Sequence, residues 1–262
     1  MHFSGPDIRR FPQMAIHDLG VVARRKRPGD FENCTNISLR NRYVYFAVDK
    51  VANSSIKNAL YTIELEPVKR PPPSPFDKRL SPLLSPFQLP PDLLDEVLNS
   101  GRYFRFAFVR NPYSRTLSCY LDRILNPTAK PRAHLQRILA RKGRPTEDIS
   151  FETFVRAICE QPSAEQNSHW RVQTDDILWG DMEFDFIGKF ERLWEDMAVV
   201  STRIWGEVLP PMAASEVNKS PKVTNAGSKL RQYYTPELAD LVYERFRSDF
   251  DTFGYDRELD AA

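Results

Sequence analysis

Lys50, followed by Val51, Ala52, Asn53, Ser54 and Ser55, is the first residue pattern in this chain able to do chemistry, and Arg110, followed eight residues later by Ser118, is the second. An ammonium beside small and polar residues that open a helix makes a seat for an anion, because the first N–H groups of a helix lack intrahelical acceptors and carry the positive end of its dipole. A guanidinium at the end of a strand offers a forked donor matched to phosphate oxygens, and a serine hydroxyl two helical turns on adds a neutral donor. Either pattern alone has an ordinary reading: Ser54 or Ser55 as a helix cap, Arg110 as half of a surface ion pair, Ser118 as helix filler.

The surrounding residues predict the elements that must hold them. Tyr43–Val48 is an aromatic and β-branched run, and Ile56, Leu60 and Ile63 then share one helical face. Phe104, Phe106 and Phe108 alternate along a second strand, Asn111-Pro112 breaks it, and Leu117, Tyr120, Leu121 and Ile124 line the helix that follows. Strand, loop and helix therefore occur twice, with a basic residue at each strand end. The first loop contains no glycine, and its lysine precedes the small residues. It is thus no G-x-x-x-x-G-K-[ST] loop, and an ordinary NTPase is disfavoured.

Taken together, KVANSSIK resembles the 5′-phosphosulfate loop of the Golgi-type carbohydrate sulfotransferases, and FVRNPYSRTLSCY resembles their 3′-phosphate motif, with Arg110 and Ser118 at its two key positions. NSHWRVQ, DFIGKFERLWEDM and the closing SDFDTFGYD are similar to that family as well, so the likeness runs in patches from Tyr43 to Asp256. The resemblance implies an α/β fold with a central parallel sheet flanked by helices, the P-loop-like sulfotransferase fold. It implies a donor cosubstrate, 3′-phosphoadenosine-5′-phosphosulfate, a product, adenosine 3′,5′-bisphosphate, and a carbohydrate or other hydroxyl acceptor. It also implies a loop that closes over the nucleotide within Val217–Tyr234, where Lys219, Lys229 and Arg231 are candidates for the 3′-phosphate or adenosine side.

Within that frame His169 is the candidate base. Transfer to a sugar hydroxyl needs a proton acceptor working near neutral pH, and imidazole meets that need without a large shift. His2 and His17 lie in the approach segment, and His134 sits among arginines. The expected reaction is an in-line displacement with Lys50 and the N–H groups near Asn53–Ser55 on the leaving phosphate, and Arg110 and Ser118 on the 3′-phosphate. No metal is required, and no His/Cys cluster is present to hold one. Two other classes stay open: a P-loop-like kinase, which would need Mg²⁺ ligands, and a catalytically silent nucleotide- or glycan-binding relative.

Length and composition are compatible with this reading. The 262 residues, 41% of them hydrophobic, suffice for one α/β domain with a real core, expected over residues 43–262. A net charge of +2 gives no extended nucleic-acid footprint. Cys34, Cys119 and Cys159 are too scattered for a disulfide framework or a zinc site. No apolar run approaches a membrane span or signal peptide, and read from Met1 the chain is expected to be soluble, cytoplasmic and bacterial. The oligomeric state is not legible.

Residues 1–42 are expected to be an irregular basic approach, with Arg24-Arg25-Lys26-Arg27 ahead of a Pro28-Gly29 turn. The excursion over residues 66–92 holds nine of the 21 prolines, which exclude regular helix over much of it, while Phe76, Leu83, Leu84, Phe87 and Leu89 predict that it packs over the core. Further helices are expected at Leu93–Asn99, Lys130–Arg144, Ile149–Ile158, Glu191–Trp205 and Pro236–Phe250, and a strand at Phe184–Ile187. Asp249 and Asp251 are expected to be solvated.

Overall fold

The computed structural model describes residues 18–75, 77–210 and 224–259. In chain order the main elements are α1 (Asp18–Arg25), α2 (Pro28–Cys34), β1 (Thr35–Ser38), β2 (Tyr43–Phe46), α3 (Asn53–Leu65), α4 (Pro91–Asn99), β3 (Phe104–Val109), α5 (Pro112–Cys119), α6 (Lys130–Arg141), α7 (Phe151–Cys159), α8 (Gln173–Asp176), β4 (Phe186–Lys189), α9 (Leu193–Trp205), α10 (Leu230–Tyr233), α11 (Pro236–Arg245) and α12 (Arg247–Phe253). A π-helical turn, Tyr120–Ile124, extends α5.

The sheet has the order β1-β2-β3-β4. Strands β2, β3 and β4 are parallel, with Tyr43 opposite Phe104 and Phe106 opposite Phe186, so the α/β fold with a central parallel sheet is present. Strand β1 departs from that pattern by pairing antiparallel to β2. The approach segment is therefore not irregular: α2 and β1 are built from it, and the folded unit begins well before Tyr43. Its TNIS strand is buried because the proline-rich excursion covers the edge, with Ile37 and Leu84 exchanging backbone bonds of 2.8 and 2.9 Å. Leu83, Phe87 and Leu89 of that excursion are buried as expected, whereas Phe76 lies outside the described residues.

Alternation in β3 places Phe104, Phe106 and Phe108 on one face, where Phe106 stacks on Tyr45 with ring centroids 5.2 Å apart. Gly188 in β4 permits this layer, since a Cβ there would lie 2.4 Å from the Phe108 ring. A second core gathers α5, α6, α7, α10, α11 and α12 around Tyr120, Phe154, Trp170 and Phe250. The expected helix over Pro236–Phe250 is broken at Phe246 (φ −107°, ψ 20°), where the chain turns into α12. That turn carries Asp249 inward. It is fully buried, not solvated, and accepts hydrogen bonds from the Gln173 and Thr174 backbone N–H groups at 2.9 and 2.8 Å.

Candidate active site

The Lys50 loop links β2 to α3 at the carboxyl end of the parallel strands. Lys50 (φ 70°) and Ala52 (φ 48°) both adopt the left-handed conformation, which costs a non-glycine residue about 1–3 kcal/mol and tends to concentrate at functional loops. Alternating handedness turns successive N–H groups toward one point, a geometry that receives anions. The first intrahelical bond of α3 runs from Ile56 N to Ala52 O, leaving the N–H groups of Asn53, Ser54 and Ser55 without intrahelical acceptors. Ala52 is the cap residue and no side chain caps the helix, so neither Ser54 nor Ser55 has the ordinary capping role. Val51 is fully buried and offers the loop only its backbone.

Arg110 follows β3, the neighbouring strand, and its side chain bridges the two motifs. Its Nη1 donates to the Lys50 carbonyl at 3.2 Å and its Nε to Ser114 Oγ at 3.0 Å, while the guanidinium lies 4.1 Å from the Phe190 ring centroid. Arg110 is 6% exposed and has no carboxylate within ion-pair distance among the described residues. Burial pushes it down to about 10, opposed by Glu191, so it remains cationic at neutral pH. A buried guanidinium without an ion-pair partner is costly unless an anion is delivered to it. Ser114 and Ser118 lie one turn apart on α5, and Ser118 Oγ accepts from Thr224 Oγ1 at 3.2 Å. The segment expected to form a lid thus reaches the second motif. Lys219 lies outside the described residues; Lys229 is half-buried just before α10, and Arg231 is exposed on it.

Several residues that hold the site were not found from sequence. Arg115 donates to the Asp49 carbonyl at 3.0 Å, to the Arg171 carbonyl at 2.7 Å and to the Ser168 carbonyl at 3.0 Å, tying the Lys50 loop to the His169 segment. Gln173 clamps the Arg110 backbone, accepting from its N–H and donating to its carbonyl, both at 2.9 Å. Asp249 holds Gln173 in turn. Burial pushes Asp249 up to about 6, against the backbone donors that favour its anion. The equal spacing of Ser114 and Ser118 was the available signal for Ser114; the others join positions too distant in sequence for any periodicity to link.

Lys50 does not stand free. Its Nζ pairs with Asp122 Oδ2 at 2.6 Å, and Asp122 also takes Arg123 Nε at 3.1 Å. Behind the loop, Lys57 is 6% exposed and pushed down by burial, while Lys78, from the proline-rich excursion, is pushed down to about 8 by burial and by the charge of Lys57.

His169 sits across from the same loop. Its Nδ1 is 2.9 Å from Asn167 Oδ1 and 3.3 Å from Asp49 Oδ2. Both neighbours are acceptors, so the proton belongs on Nδ1 and the lone pair on Nε2. Burial would raise Asp49, but His169, the Ser168 hydroxyl donating at 2.6 Å and Arg115 outweigh it and hold the carboxyl at about 2. Burial lowers His169 below its ordinary value of 6.5, with Asp49 opposing and Arg123, Lys50 and Arg115 reinforcing. The imidazole is therefore neutral at pH 7 and able to accept a proton. The acid limb of kcat/KM is expected below pH 6.5, and a limb centred above pH 7 would remove His169 from the role.

These pieces form one constellation: an amide nest, a buried guanidinium touching that nest, and an imidazole oriented by a carboxylate from the loop itself. A sulfotransferase family model matches residues 34–256, most of the chain. The chain belongs to the sulfotransferase family. Among its relatives are carbohydrate sulfotransferase 14 of Danio rerio, 29% identical over 63% of this chain and 46% of that protein, and carbohydrate sulfotransferase 10 of Xenopus laevis, 26% identical over 84% and 66%. Carbohydrate sulfotransferase 11 of Rattus norvegicus is 24% identical over 58% of this chain and 47% of its own. This family member spans about half to two thirds of the length of these relatives. No solved structure matches it. The relatives are vertebrate proteins, which overturns the expectation of a bacterial, cytoplasmic source. Among the described residues no helix is long and apolar enough to cross a membrane, and no group of three or more His, Cys, Asp and Glu could hold a metal ion.

Proposed function

We propose that this chain transfers a sulfuryl group from 3′-phosphoadenosine-5′-phosphosulfate to a hydroxyl of a carbohydrate. The observation that carries this reading is the Arg110 to Lys50 bridge: the two motifs meet at one place, where a single nucleotide with phosphates on both its 3′ and 5′ sides could span them. Family membership and relatives named as carbohydrate sulfotransferases support the same reaction and the same class of acceptor.

Each residue then has a distinct task. The N–H groups of Asn53, Ser54 and Ser55 receive the 5′-phosphate, and Arg110 with Ser118 receives the 3′-phosphate, which positions the donor without joining the chemistry. His169 Nε2 takes the acceptor hydroxyl proton as the oxygen–sulfur bond forms. The bond from sulfur to the bridging oxygen breaks, and Lys50 with the loop N–H groups stabilises the charge that grows on the departing phosphate. Asp49 steadies the imidazolium that results. Lys50 must exchange part of its bond to Asp122 for the donor, so this ion pair holds the ammonium in place until the donor arrives.

Thermal shift tests the donor class. Adenosine 3′,5′-bisphosphate without Mg²⁺ is expected to raise Tm by several degrees at a concentration about 100 times its Kd, equivalent to about 2.7 kcal/mol, and ATP to do little. A larger response to Mg-ATP would favour a kinase. Nucleotide binding with no transfer to any glycan would favour a silent relative.

A further inference from the structure

At the other end of the sheet, where β2, β3 and β4 begin, a cavity of about 450 Å³ has Arg40, Arg42, Arg102, Arg203, Phe104 and Asp185 among its lining residues. By formal charge these side chains carry four positive charges against one negative. The acids nearby are already engaged. Asp185 accepts from Arg105 N and Nε at 2.8 and 3.3 Å, Glu96 pairs with Arg102 at 2.9 Å, and Glu64 accepts from Asn41 at 2.8 Å. Arg40, Arg42 and Arg203 have no acidic partner among the described residues, and all three are exposed. Arg203 lies 5.8 Å from the Phe104 ring, which adds an apolar wall beside the guanidinium groups. Arg42 takes the left-handed conformation, φ 52°, at the turn into β2.

Three unpaired guanidinium groups around one hollow repel one another, and an oxyanion among them would remove that cost while accepting forked hydrogen bonds. The volume falls in the range that takes a small organic group and exceeds what one ion needs. We propose that this cavity is a second anion site, binding a sulfate-bearing sugar of a glycan chain. It stands roughly 20 Å from the transfer site, the length of a six-residue strand. The choice of a sulfated sugar over another oxyanion rests on the sulfotransferase reading; the charge and shape of the cavity do not. A chain that already carries sulfate would be held here while another hydroxyl is presented to His169.

Isothermal titration with a chemically sulfated hexasaccharide, in saturating adenosine 3′,5′-bisphosphate to fill the proposed donor seats, tests this, the variants below separating this cavity from the acceptor side of the transfer site. The full chain should bind it, and its unsulfated parent at least tenfold more weakly. The triple variant Arg40→Gln, Arg42→Gln, Arg203→Gln should raise the hexasaccharide Kd at least tenfold and flatten its salt dependence, with turnover of a short unsulfated acceptor unchanged. If that variant folds poorly, Arg203→Gln alone, exposed on α9, should raise Kd about threefold. Equal affinity in the variants overturns the site. Displacement of the hexasaccharide by an equal concentration of inorganic sulfate overturns it in favour of a simple ion seat, and a second bound nucleotide lost in the triple variant overturns it in favour of a nucleotide site. Wild-type protein that transfers no sulfuryl group, yet loses hexasaccharide binding in the variants, would remove the catalytic reading and leave this site standing.

Discussion

His169→Ala is expected to lower kcat by about 10²- to 10⁴-fold, the usual contribution of a positioned general base, while leaving the Kd for adenosine 3′,5′-bisphosphate nearly unchanged. The separation follows from geometry. His169 contacts Asp49 and Asn167 and makes no bond to Arg110, Ser114 or Ser118. Removing the imidazole therefore takes away the proton acceptor without touching the proposed phosphate seats. Single-turnover kinetics with bound donor would read the chemical step directly. Undiminished turnover in the variant would exclude His169 as base. A parallel loss of nucleotide affinity would instead give it a place in donor binding.

Arg110→Ala should do the opposite, weakening donor and product binding by about 2–5 kcal/mol, at least on the order of thirtyfold, because a buried charged partner is withdrawn from an anion. The effect has two components. One is the direct loss of the forked contact to phosphate, and the other is the loss of the 3.2 Å bond that fixes the Lys50 carbonyl. Arg110→Lys separates them, since it keeps a charge but not the fork, and should fall between the wild type and alanine. Titration of adenosine 3′,5′-bisphosphate into each variant, with Tm compared in the absence of ligand, checks the prediction. Unchanged affinity in Arg110→Ala would place the nucleotide elsewhere.

The parts of this site that were legible in the sequence are those specified locally. Tyr43–Val48 and Phe104–Phe108 announce strands by residue type, the residues after each announce helices by spacing, and the basic residue at each junction follows from its position. What sequence could not give is contact between distant segments. Asp49 lies 120 positions before His169, and only the sheet and the Arg115 bridge bring the two together. Asp122 could not be matched to Lys50 because a π-turn sets where its carboxylate points. Asp249 reads as solvated in SDFDTFGYD, since burial of a carboxylate becomes affordable only when α8 supplies backbone donors to it. The TNIS strand falls within the stretch expected to be irregular, because its burial comes from the excursion that crosses it.

Lys50 is the weakest isolated signal, a lysine before small residues, yet it lies on the strained turn that the fold maintains without glycine. Strain of that kind persists where surrounding contacts over-determine the backbone, and here Arg110 and Arg115 both hold carbonyls of the loop. The second motif therefore shapes the first, besides facing the same proposed nucleotide.

The most direct test is a crystal structure of the protein with adenosine 3′,5′-bisphosphate. Its 5′-phosphate should lie on the N–H groups of Asn53, Ser54 and Ser55 with Lys50 alongside, and its 3′-phosphate on Arg110 and Ser118, with His169 Nε2 facing the 5′ side. A nucleotide bound with either phosphate away from its seat, or with Lys50 and Arg110 on separate molecules, would contradict the account.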